Sequence, residues 1–213
     1  MNDIRKDKEN SNYIKDINPI LKYNDINNDI IIFYFQVNQL KNLYRQGWIK
    51  RILGPECEKR CESVADHCFG LGILAISIIE KYKLKYDIAK CLKLCLLHEI
   101  GEIYAGDLFI PRDNITKEEK HELEKNAILK LLNNISFDND FLALWEEYEK
   151  QESEEAIYIN ELDKLEFLMQ AAIYETDISY YKYTMSKVKT PILIEIVEEL
   201  KSLTKSKKPP IKM

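Results

Sequence analysis

An imidazole and two carboxylates interrupt an apolar stretch in the run Cys95-Leu96-Leu97-His98-Glu99-Ile100-Gly101-Glu102. Residues three and four apart share a helix face, so His98, Glu99 and Glu102 read as groups that converge on one point. Burying such groups without partners is costly, and a divalent metal ion satisfies all three at once. The chain has three histidines. A second, His67, follows a comparable signal, Glu62-Ser63-Val64-Ala65-Asp66-His67, at the opening of another apolar helix. A third source of ligands is Glu161-Leu162-Asp163-Lys164-Leu165-Glu166, where Asp163 shares a helical stripe with Ile159, Phe167 and Tyr174. Two readings stand for Asp163: a buried ligand at the edge of an apolar stripe, or a surface aspartate paired with a neighbouring lysine.

The elements that must position these groups are helices. Phe35, Leu40, Leu43 and Tyr44 mark a first amphipathic helix that stops near Gly47, followed by a loop with Gly54 and Pro55. Val64 to Tyr82 is apolar almost all round and reads as a central helix. Tyr86 to Tyr104 is the next, with Gly106 as its stop and Asp107 just beyond. Thr116 and Glu119 have capping-box spacing and start a charged helix that runs to Asn133. Phe141, Leu144, Trp145 and Tyr148 mark a shorter helix, Ser153 caps a long one to about Tyr174, and Thr190-Pro191 opens a last one over Ile192 to Leu203. No period-two strand stands out. The expected fold class is all-α, a helical bundle of about six to eight helices. Residues 1–28 read as a flexible polar extension, 29–204 as the domain, and 205–213 as a basic tail.

The 213 residues suit one domain with a sizeable core. A net charge of −5 argues against a general nucleic-acid surface. There is no run apolar enough to span a membrane and no signal-peptide stretch, so the chain reads as cytoplasmic. Of five cysteines, Cys57/Cys61 and Cys91/Cys95 are each four apart. They read as inert core thiols, with a structural zinc site as the alternative. His121, on the charged helix, reads first as a solvated residue, as do Glu147 and Glu149.

The order His, then His-acid, then Asp resembles the HD-domain superfamily of metal-dependent phosphohydrolases. The flanking motifs are Glu62 to His67, Leu97 to Glu102, Ala105-Gly106-Asp107, Lys117-Glu118-Glu119-Lys120-His121, Leu144 to Glu149 and Leu162 to Glu166. These are similar to the 5′-deoxynucleotidase branch, over roughly Phe35 to Glu175.

What the resemblance implies is a phosphomonoesterase that acts on deoxyribonucleoside 5′-monophosphates. The metal ligands fall on His67, His98, Glu99 and Asp163. The catalytic acids fall on Glu102 and Asp107, which in some relatives also hold a second ion with the next backbone carbonyl, here that of Leu108. Arg45, Trp48 and Arg51 match the segment that meets phosphate and nucleoside. Trp48 reads equally as a core anchor. Family position also puts His121 near the pocket and Glu147 behind a ligand. The implied cofactor is a divalent cation (Mn, Co, Fe, Zn or Mg), the implied partner is a small nucleotide, and the implied assembly is a homodimer. One departure stands out: the usual His-Asp dyad is here His98-Glu99, one methylene longer, and still able to ligate through oxygen. Other HD-type nucleotide hydrolases, such as phosphodiesterases or triphosphate hydrolases, and a metal-binding helical scaffold are the alternatives.

Overall fold

The computed structural model describes residues 26–49, 60–108, 114–133, 135–137, 139–205 and 207. The helices are α1 (Asp29–Val37), α2 (Gln46–Trp48), α3 (Val64–Tyr82), α4 (Ile88–Leu97), α5 (Glu102–Ala105), α6 (Lys117–Leu132), α7 (Phe141–Lys150), α8 (Glu154–Ile173), α9 (Lys182–Met185) and α10 (Pro191–Thr204). Among the described residues there is no β-strand, only an isolated antiparallel bridge between Tyr44 and Ser63. The architecture is all-α.

The helix starts follow local chemistry. The Ser63 hydroxyl accepts from the Asp66 amide while the Asp66 carboxylate accepts from the Ser63 amide, a reciprocal cap on α3. Thr116 and Glu119 do the same for α6, and Ser153 caps α8 through the Ala156 amide. Lys83 and Gln151 end α3 and α7 in the left-handed conformation. α8 is the hub. It packs against α3, α4, α7 and α10 and buries Tyr158, Ile159, Leu162, Leu165 and Leu168 almost completely. Each such side chain contributes about 1.5–3 kcal/mol, so α8 is fixed firmly in the centre of the bundle.

Two expected helices differ from the sequence reading, and both differences serve the site. The first ends at Val37, not near Gly47, and runs into a 3-10 turn over Asn38–Lys41. The chain beyond it pairs with the approach to α3: the Val64 amide donates to the Leu43 carbonyl at 2.8 Å and the Arg45 amide to the Glu62 carbonyl at 3.1 Å. Long-range backbone pairing thus overrides helical periodicity and brings Arg45 and Gln46 inward. The second expected helix, Tyr86 to Tyr104, is broken. α4 ends at Leu97, and the amides of Ile100, Glu102 and Ile103 bond to carbonyls three residues back before α5 begins. Gly101 lies flush against α6, where a Cβ would come within 2.8 Å of Glu124 Cβ and 2.9 Å of its carbonyl oxygen. The tightened turn is what allows that approach.

Candidate metal centre

Three elements bring their polar groups to one buried point. α3 supplies His67, which has no exposed surface, the end of α4 supplies His98, and α8 supplies Asp163. His67 Nε2 lies 3.3 Å from His98 Nε2 and 3.2 Å from Asp163 Oδ1. One ligand atom from each of the three residues lies within 4.8 Å of the others.

The other ring nitrogens explain why these atoms face inward. His98 Nδ1 sits 3.0 Å from the Cys95 carbonyl oxygen. A carbonyl only accepts, so Nδ1 carries the proton, and burial holds this imidazole neutral by lowering its pKa. Its Nε2 lone pair is therefore aimed at the cluster. His67 Nδ1 is 2.7 Å from Glu166 Oε2, a carboxylate–histidine pair of the kind that orients metal-ligating imidazoles. Burial and the Arg45 charge push the His67 pKa down, but Asp163 and Glu166 outweigh them and raise it to about 9. Burial opposes ionisation of Asp163, yet Lys164 and His67 hold its carboxyl well below the usual range. Two imidazole nitrogens and a carboxylate, buried together with their outer atoms already committed, fit a divalent cation of the transition-metal type.

Asp163 is buried, as the ligand reading expects and the surface reading does not, although it does pair with the neighbouring lysine. One oxygen faces His67 while Oδ2 pairs with Lys164 Nζ at 2.5 Å.

The structure divides the set that the sequence reading placed on a single helix face. Glu99 Oε1 is 3.7 Å from His98 Nε2 but 3.1 Å from Arg45 Nη1. It lies at the rim of the cluster, as an ion-pair partner of arginine. Burial opposes its ionisation, but His98, Lys120 and Arg45 hold its carboxyl below the ordinary range. Glu99 and Glu102 instead share a group with Glu124 of α6. Glu102 is 1% exposed, and neither carboxylate oxygen has a hydrogen-bond donor. Burial, then the charges of Glu99 and Asp107, push its pKa well up, so it is held as a neutral acid. The buried Asp107 Oδ2 accepts from the Gln46 amide at 2.5 Å.

Arg45 is mostly buried, and its charge is secured by Asp107 and Glu99 against the cost of burial. Trp48 is 2% exposed. Its ring stacks on Phe167 with centroids 4.5 Å apart, and its Nε1 donates to Glu62 Oε1 at 2.5 Å. It is a core anchor, with no free face for a base or sugar. Arg51 and Cys57 lie outside the described residues. Cys68, Cys91 and Cys95 are buried thiols, and among the described residues no cysteine joins a group of prospective metal ligands. His121 stacks on Trp145 and faces Glu149 at 3.4 Å, so it is not a freely solvated side chain. Glu147 serves elsewhere, paired with Lys90 at 2.8 Å and with the Ser153 hydroxyl. The carboxylate behind His67 is Glu166. Its three-residue spacing from Asp163 was the signal that could have found it.

A family model for the HD domain matches residues 37–203. The chain belongs to the HD domain family. A human relative, 5′-deoxynucleotidase HDDC2, is 34% identical over 183 residues, 81% of this chain and 85% of that protein. A Xenopus laevis protein of the same name is 37% identical over 181 residues, 80% and 85% of the two chains. A solved conserved hypothetical protein from Pyrococcus furiosus aligns with a TM-score of 0.63 at 27% identity, over 81% of this HD-domain chain and 99% of its own. A predicted metal-dependent phosphohydrolase from Magnetospirillum magnetotacticum gives a TM-score of 0.66 at 23% identity, covering 83% and 91%, and shares the fold. Among the described residues of this HD-domain protein, no helix is long and apolar enough to cross a membrane.

Proposed function

We propose that this HD-domain protein is a metal-dependent 5′-deoxynucleotidase, which hydrolyses deoxyribonucleoside 5′-monophosphates to deoxynucleoside and phosphate. The observation that carries the reading is the buried convergence of His67 Nε2, His98 Nε2 and Asp163 Oδ1, with both Nδ1 atoms committed elsewhere. The similarity to proteins named 5′-deoxynucleotidase over most of the chain supports the substrate class.

His67, His98 and Asp163 would hold the ion, with Glu99 at the edge as the fourth ligand once Arg45 turns to substrate. Bound there, a divalent ion (Mn, Co, Fe, Zn or Mg) supplies Lewis acidity toward a phosphoryl oxygen and toward water. Arg45 brings a fixed charge with several donors to the phosphate, a geometry suited to two-point contact. Asp107, anchored by the Gln46 amide, orients the attacking water and takes its proton. Glu102, kept protonated by burial and its acidic neighbours, donates to the departing 5′-oxygen. Arg51 is carried as a phosphate contact by its place in the motif, and the Leu108 carbonyl as a neighbour of the acids. Trp48 acts indirectly, by holding Glu62 beside Arg45.

A cytoplasmic homodimer goes with this reading. Phe69, Ile73 and Leu96, exposed on α3 and α4, are apolar side chains that a second copy would cover; light scattering tests it.

The test of function is free phosphate released from dAMP, dCMP and dUMP with Mn²⁺ or Co²⁺, beside the ribonucleotides and the di- and triphosphates. Release from the deoxymonophosphates in preference to the rest is expected. No release from any of them by folded, metal-loaded protein ends the proposal.

A further inference from the structure

Lys164 follows Asp163 on α8 and has no part in the chemistry proposed for the centre. Its Nζ lies 2.5 Å from Asp163 Oδ2, while Oδ1 of the same carboxylate faces His67 Nε2 at 3.2 Å. The two oxygens serve different partners, so ligation through Oδ1 does not require the lysine to leave. The register of α8 fixes the pair in place, because Leu162 and Leu165 on either side of it have no exposed surface. Asp163 keeps 11% of its side-chain surface exposed and Lys164 31%, which sets the ammonium on the solvent side of the carboxylate. An ammonium has three donors and no acceptor. Among the described residues only Asp163 Oδ2 accepts from it, which leaves two donors to give. Burial opposes its charge, Asp163 and Glu99 hold it, and the Arg45 guanidinium repels it. Arg45 in turn lies 3.1 Å from Glu99 Oε1 through its Nη1. Two cations are thus drawn to the same few side chains, and an anion between them removes the cost of their repulsion.

We propose that Lys164 is a substrate-binding residue, whose ammonium holds the phosphate of the nucleotide from α8 while Arg45 holds it from the segment before α2. The inference rests on the reading of the site as a phosphomonoesterase, which brings a dianionic phosphate to the centre. Lys164 adds a point charge to the planar, two-point contact that Arg45 offers. The same ammonium offsets the charge of Asp163. Its removal therefore acts in opposite directions on the two ligands of the site. The phosphate loses a partner, and the divalent cation is rid of a neighbouring like charge. A lysine that only braced α8 would move both affinities the same way.

The experiment is a pair of calorimetric titrations on the full chain: Mn²⁺ into chelator-stripped protein, and inorganic phosphate into the Mn²⁺-loaded protein. They are done for the native protein, Lys164→Met and Lys164→Arg. In Lys164→Met the phosphate dissociation constant should rise by about tenfold or more, while Mn²⁺ binds no more weakly than to the native protein. Lys164→Arg keeps the charge and should bring phosphate binding back to within about threefold of native. In parallel, the KM for dAMP should rise in Lys164→Met by a larger factor than kcat falls. Phosphate binding by Lys164→Met within about threefold of native overturns the proposal, as does the absence of phosphate binding by the native protein. So do a joint weakening of Mn²⁺ and phosphate in Lys164→Met and a failure of arginine to restore phosphate binding. If Lys164→Met lacks the helical spectrum of the native protein, Lys164→Gln is read by the same criteria. Phosphate binding needs no turnover. A protein that binds phosphate through Lys164 yet releases none from any deoxymonophosphate refutes the assigned activity and leaves this inference standing.

Discussion

The carboxylate behind His67 offers the sharpest quantitative prediction. Glu166 Oε2 lies 2.7 Å from His67 Nδ1, with both residues buried. A hydrogen bond to a charged group is worth roughly 1.5–3 kcal/mol and a neutral one roughly 0.5–1.5. Glu166→Gln keeps an acceptor oxygen but removes the charge, so the loss is about 1–1.5 kcal/mol, or about tenfold in metal affinity. Glu166→Ala removes the acceptor as well, leaves the imidazole free to rotate or change tautomer, and should weaken binding by about 10–100-fold. The side-chain volume is nearly preserved in the glutamine variant, so folding should be unaffected there. The assay is calorimetric titration of Mn²⁺ into chelator-stripped protein, beside the Mn²⁺ dependence of phosphate release. The dissociation constants should rise in the order native, Glu166→Gln, Glu166→Ala, with maximal rates at saturating Mn²⁺ less affected than the half-saturating concentration. If Glu166→Ala binds Mn²⁺ within threefold of the native protein while its helical spectrum is unchanged, then Glu166 does not orient His67 and the account of the centre is wrong.

Other outcomes follow from the same packing. Gly101→Ala places a methyl group 2.8–3.0 Å from Glu124 backbone and Cβ atoms. The φ of −64° there suits any residue, so the cost is steric, about 1–3 kcal/mol. Thermal melting should fall by about 2–10 °C, and an unchanged midpoint would show that α6 has room to move. Chelation should destabilise the folded protein, because binding at a hundred times Kd contributes about 2.7 kcal/mol. A drop of roughly 5–10 °C on adding EDTA is expected, and identical melting curves would argue against any ion bound by the native state. Burial pushes the Cys91 and Cys95 thiols up to about 12 and Cys68 higher than usual. At pH 8 the Cys91 and Cys95 thiols hold roughly a thousandfold less thiolate than an ordinary one, so peptide mapping should find all three unalkylated until urea is added. Equal labelling of Cys91 in native and unfolded protein would contradict its core placement.

The residues of the candidate metal centre were largely legible, because polar groups are conspicuous inside apolar helices. His98 interrupted an apolar stretch, His67 stood at the opening of an apolar helix and Asp163 at the edge of an apolar stripe, and the structure brings them together. Helix starts were legible too, since Ser63, Thr116 and Ser153 act through bonds three residues away. Glu166, Lys120 and Glu124 were passed over because each sits in a run of charges typical of a solvated face. Their burial comes from neighbours distant in sequence. Trp48 was ambiguous for the same reason: only its contact with Phe167 decides that it belongs to the core.

Composition and periodicity alone determined an all-α domain, the starts of its long helices and the residue types of a buried cation site, because these depend on contacts within a turn or two of the chain. The tertiary structure decided where helices break and which acid faces which charge. The tightened turn at His98–Gly101 allows the close approach of α6 to Gly101, and it sends His98 toward His67 but Glu102 toward Lys120 and Glu124. A helical period cannot encode that division, since it arises from the approach of a helix some twenty residues further along the chain.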